Sequence, residues 1–150
     1  MSLLLRLLPW PLAAYVAFIF IWYLQYKFTG HPGSVQLFTT LQEWSNLPFE
    51  PYGRIGVGVV ELIAGILILI PFSRFVGAGI GLGVMSGAIF FHLFTPLGVD
   101  PYGDGGVLFK EACTVWLCCL AILLLDRAKV GALLMTLGLP APRFLRGATR

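Results

Sequence analysis

The chain has 150 residues, 58% of them hydrophobic and 11% charged, with a net charge of +3 and a mean hydropathy of +0.88. A water-soluble domain is about 25% charged, and a chain this short cannot bury so much apolar surface in a core of its own. A soluble globular domain is therefore excluded, lipid is the expected solvent, and the length allows one domain.

The first apolar run, about 9–26, follows Arg6 and opens with Pro9 and Pro11, where a helix start tolerates the missing N–H groups. Its sequel "YLQYKF" offers no small-x-small cleavage site, so it reads as a retained helix rather than a signal peptide. A segment of about 28–54 follows, too long for a plain turn. Within it "SVQLFTTLQEW" spaces Val35, Phe38, Leu41 and Trp44 as one helical face, and Ser34 is the expected N-cap. This predicts a short interfacial helix with its apolar side toward lipid or the bundle.

The second span, about 55–71, carries Glu61; the third, about 75–94, ends near His92; the fourth covers about 107–125. All four runs are continuous rather than alternating, which predicts helices instead of strands. Gly77, Gly79, Gly81, Gly83 and Gly87 in the third span form overlapping G-x-x-x-G pairs, expected to let helices approach closely. The predicted architecture is an all-α integral membrane four-helix bundle over residues 1–126, with a basic tail over 127–150.

Charge placement predicts orientation. Arg6, Arg74, Arg127, Lys129, Arg143, Arg146 and Arg150 share one side with only Asp126. Lys27, Arg54 and Lys110 share the other with Glu43, Glu50, Asp100, Asp104 and Glu111. The basic side is expected to be cytoplasmic, with both termini inside and the loops of about 28–54 and 95–107 outside. The positive charge thus implies anionic headgroups near the tail "RFLRGATR", not nucleic acid.

Polar residues within such a chain are costly and mark function. Glu61 lies seven residues beyond Arg54, about 10 Å along a helix. A carboxylate there needs a partner, and Lys27 and Lys110 are the candidate cations. Lys27, Glu61, His92 and Lys110 are the candidate pocket residues, with His31, Arg54, Asp104 and Glu111 in support. The bland alternative is snorkelling lysines and a structural ion pair. No metal is expected: "DPYGDGG" lacks the ligand spacing of a calcium loop, and no zinc spacing occurs. Cys113, Cys118 and Cys119 form no C-x-x-C and read as small apolar residues.

The order of features resembles the DoxX family of small four-helix membrane proteins. The matching stretches are "YLQYKFTGHPGSVQLFTTL", "VELIAGILILIPFSRFVGAGIGLGVMSGAIFFH" and "GDGGVLFKEACTVWL", covering about residues 10–126. In members like this one the recurring marks correspond to Lys27, Glu61, His92, Asp104, Gly105 and Gly106. The resemblance implies a multi-pass protein of a bacterial inner membrane, and a link to quinone-coupled redox enzymes or to membrane assembly.

Two functions follow. One is a redox-linked membrane subunit with an outward pocket for a quinone, whose headgroup Lys27 and His92 would bind and Glu61 would serve with protons. The other is a non-catalytic partner or assembly factor, docking other membrane or redox proteins, or a second copy, through the glycine-rich third span. A solute or proton path through Glu61 is weaker, because the inner half has almost no polar steps.

Overall fold

The computed structural model describes residues 7–140 together with 142 and 145. Arg6, Arg143, Arg146 and Arg150 lie outside the described residues.

Six α-helices make up the described chain, and no strand occurs among the described residues: α1 (Pro9–Phe28), α2 (Pro32–Ser45), α3 (Arg54–Leu69), α4 (Arg74–Phe94), α5 (Val107–Leu125) and α6 (Arg127–Thr136). A π turn, Phe49–Gly53, leads into α3. Three helical runs are long and apolar enough to cross a membrane: Phe49–Leu69, Arg74–Phe94 and Val107–Leu125. A fourth is reached when α1 and α2, bent by 81° at Gly30, are taken as one broken run. Lipid-compatible backbone favours this all-helical solution, since each helix satisfies its own N–H and C=O groups.

The four long helices close a ring, α1 against α3, α3 against α4, α4 against α5, and α5 back against α1. Their shared core is small and apolar, with Ala13, Val16, Ala64, Ile68, Ala78, Val115, Cys119 and Ile122 fully buried. Large side chains such as Phe18, Leu117 and Leu124 point outward, the inversion expected where the surroundings are hydrocarbon.

The bundle has two unlike ends. The terminal end, near residues 9, 70–74 and 126, is tightly stitched. Arg74 is buried, donates from Nε to the Ile68 carbonyl at 3.3 Å and stacks on the Trp10 ring at 4.3 Å. It therefore caps the C-terminus of α3 and joins three helices, where sequence reading had assigned it only to an inner charge cluster. A β-carbon at Gly77 would sit 2.5 Å from the Ile68 nitrogen, so α3 and α4 touch backbone to backbone there. Helix α6 continues beyond the fourth span in what the sequence marked only as tail; Lys129 pairs with Asp126 at 3.1 Å and donates to the Pro71 carbonyl at 3.0 Å.

The other end, here the loop end, carries the two long connections. Helix α2 lies across it, and Phe38, Leu41 and Ser34 form its buried face. Val35 is half-buried and Trp44 exposed, so the predicted face turns slightly along the helix. Ser34 is not the N-cap. The helix begins earlier, at Pro32, whose fixed φ suits a first helical residue, and His31 caps it, its Nδ1 accepting from the Gly33 N–H at 3.3 Å.

The loop before α5 is built by its aspartates. Asp100 accepts from the N–H groups of Asp104 and Gly105, and Asp104 accepts from those of Gly106 and Val107 at 3.0 Å. Gly106 adopts φ 74°, and a β-carbon there would meet the Val99 carbonyl at 2.7 Å, so glycine is required.

Candidate functional site

Between the four long helices, under α2, lies a cavity of about 710 Å³. That volume falls within the usual range for small-molecule sites, about 300–1,000 Å³. Its walls are mostly apolar, and its polar groups come from four different elements: Tyr23 and Lys27 on α1, Glu61 on α3, His92 on α4 and Glu111 on α5, with His31 at the rim.

Glu61 is buried, with 4% of its surface exposed. Lys27 reaches it across the α1–α3 contact, Nζ to Oε2 at 2.8 Å. The pair is at charge-assisted hydrogen-bond distance, and Lys27 is the carboxylate's one partner among the described residues. A buried carboxylate with a single donor keeps acceptor capacity for a further polar group. Lys27 also lies over the Tyr23 ring at 5.6 Å.

Tyr23 donates its hydroxyl hydrogen bond to Glu111, joining α1 to α5 on the opposite wall. His92, 4% exposed, places Nδ1 at 2.6 Å from the Gly98 carbonyl. A carbonyl only accepts, so Nδ1 carries the proton. The ring packs edge-on against Phe109 at 5.6 Å.

The roof is latched. Tyr102 donates to the Gly33 carbonyl at 2.8 Å, tying the loop before α5 to α2. Burial, and to a smaller degree the charge of Asp104, pushes the Tyr102 phenol up, so it remains a donor near neutrality. Phe49 and Phe91 meet edge to face at 5.5 Å and close the corner between the π turn and α4.

Of the eight residues singled out from the sequence, five line this cavity: Lys27, Glu61, His92, His31 and Glu111. The other three do not. Lys110 is exposed and outside it, because neighbouring helical residues point about 100° apart and Glu111 takes the inward direction. Arg54 is buried beside it as a clamp: its guanidinium donates to Glu50, at 2.7 Å from Nη2, and to the Lys27 carbonyl at the end of α1. Asp104 is spent on the backbone turn described above.

Sequence reading missed Tyr23, although its position four residues before Lys27 puts both on one face of α1. It also assigned all five glycines of the third span to close packing. Gly77 packs on α3, and a β-carbon at Gly81 would meet Cys119 at 3.0 Å. Gly79, Gly83 and Gly87 have nothing within 4 Å of a β-carbon, and Gly83 and Gly87 line the cavity. Two residues of offset is about 200° on a helix, so the two sets occupy opposite faces.

No group of three or more His, Cys, Asp or Glu side chains converges as a metal site among the described residues. Comparison with known protein families, with characterised proteins and with solved structures finds no match to the chain.

Proposed function

We propose that this chain is a four-span protein of a bacterial inner membrane, with both termini cytoplasmic, that binds a quinone-type headgroup in the outer half of its bundle as a redox-linked subunit. The observation that carries this reading is the cavity of about 710 Å³ ending on the buried Lys27–Glu61 pair. A quinone offers two carbonyl acceptors on an apolar ring, matching a largely apolar chamber with a few convergent polar groups. Lys27 donates to a carbonyl. Two-electron reduction of such a ring takes up two protons, and Glu61 and His92 are the cavity groups able to relay them; the electrons come from a partner redox protein. Orientation rests on the basic residues Arg74, Arg127 and Lys129 at the terminal end against the acidic loop end. The resemblance to the DoxX family supports the same membrane.

The test is photolabelling of the purified full-length protein with an azido-quinone, wild type against Glu61→Gln. Labelled peptides are expected on the cavity walls in the wild type, with labelling reduced about tenfold in the variant, the usual scale for losing one charge-assisted contact. Absent labelling, or equal labelling in both proteins, overturns the reading.

A further inference from the structure

The cavity reaches the surface at two places of different character. At the roof, the exposed lining residues are His31 and Tyr102. At the side, between α3 and α4, they are Gly56, Val60 and Gly83, with Gly87 half-exposed. β-Carbons at Gly56, Gly83 and Gly87 would all meet open space. The helices touch near Gly77, and further along the exposed glycines leave the side wall of the cavity uncovered. The side opening contains no charged or hydrogen-bonding side chain. Counted from Arg54, Val60 lies about 9 Å along α3, and counted from Phe94, Gly83 lies about 16 Å along α4. A hydrocarbon core is about 30 Å thick, so in a bilayer whose edges lie near Arg54 and Phe94 these depths put Val60 and Gly83 among acyl chains. Glu61, buried and paired with Lys27 alone, lines the same cavity next to Val60 in sequence.

We infer that the side opening is a lipid-facing window, through which the cavity takes a molecule that carries a hydrocarbon chain on a compact polar headgroup. The headgroup lies against the Lys27–Glu61 pair, and the chain leaves between α3 and α4 along Gly56, Gly83 and Gly87. Glycine at these positions keeps the passage at backbone width; a larger side chain on either helix closes it. The inference rests on the ligand-binding reading above but not on the headgroup being a quinone.

The experiment uses the full-length protein in phosphatidylcholine vesicles and two carbene-generating probes, adamantyl diazirine dissolved in the bilayer and photo-leucine dissolved in water. Insertion is mapped by mass spectrometry. In the wild type, adamantyl diazirine labels the buried cavity walls at Glu61 and Phe38, and photo-leucine labels them far less. Gly83→Leu combined with Gly87→Leu lowers that wall labelling to the level that photo-leucine gives. Labelling at the exposed α3 residues Ile63 and Ile66 stays unchanged. Leucine is a better helix former than glycine and these β-carbons have room, so the variant folds; Gly56→Leu closes the window independently from α3. Wall labelling that comes from water, that is missing from both phases, or that survives both closures overturns the window. Window-dependent labelling together with failure of the azido-quinone removes the quinone and leaves the window standing.

Discussion

The two halves of the bundle are made from the same four helices and have opposite interiors. In the terminal half, Gly77 lets α3 and α4 touch, Ala64 and Ala78 keep the layers thin, and Arg74 seals the end against Trp10 and Ile68. In the loop half, the interior is hollow, and polar contacts join the helices around it: Lys27 to Glu61, Tyr23 to Glu111, and Arg54 to the end of α1. Small residues zip one half shut, and charged residues brace the other half open. Stability resides in the first and binding capacity in the second, so substitutions in the two halves should fail in different ways.

The largest effect is expected from Lys27→Met, which leaves the Glu61 carboxylate buried without its cation. Breaking a buried pair this way costs about 3–5 kcal/mol. The double variant Lys27→Met with Glu61→Gln should recover most of the loss, both read by thermal unfolding in detergent. If the double variant is as unstable as the single, the pair is not what braces the loop half. Next comes Gly77→Ala, whose new methyl meets backbone on α3 and should cost roughly 1–3 kcal/mol. Gly83→Ala, six residues along the same helix but with open space around its β-carbon, should be neutral or stabilising by up to about 1 kcal/mol. Equal losses at Gly77 and Gly83 would erase the distinction between closed and open halves.

The smallest effect concerns the loop before α5. Slight burial pushes the Asp100 carboxyl up, but the N–H groups of Gly106, Asp104 and Gly105 outweigh it and hold the group below the usual carboxylate range. A lowered value means that the loop's extra order is present above the ordinary carboxylate pKa of about 3.9 and is lost only as pH falls through the lower, folded value. Amide exchange at Asp104 and Gly105, corrected for intrinsic rate, should stay protected at about pH 4 and lose protection below it. Loss of protection well above that pH would show that Asp100 does not hold the turn.

The span limits could be read closely from the chain because prolines, glycines and charges interrupt the apolar runs: about 107–125 was expected for the fourth helix and Val107–Leu125 is observed. The pairing of Lys27 with Glu61 was also within reach, since few other cations share that height. The cavity was not. Its volume depends on how far α3 and α4 diverge, which no local pattern states. Lys110 was misplaced because height along a helix was used without angle around it, and its neighbour Glu111 faces in. The Arg54 clamp was hidden for a different reason: its partners are a carboxylate four residues back and a backbone carbonyl on α1, and a carbonyl has no signature in sequence.

The Gly77 contact has a mechanical consequence. Two rods pinned together near one end act as a lever, and the window residue Gly87 is ten positions from the pin, about 15 Å along α4. A tilt of only 5° about Gly77 moves the helix at Gly87 by roughly 1.3 Å, from that same rise per residue. The passage can therefore widen by about that amount while the packed half stays in place. A tight joint at the terminal end makes the aperture at the other end adjustable, so a rigid core and a breathing portal are two properties of one glycine.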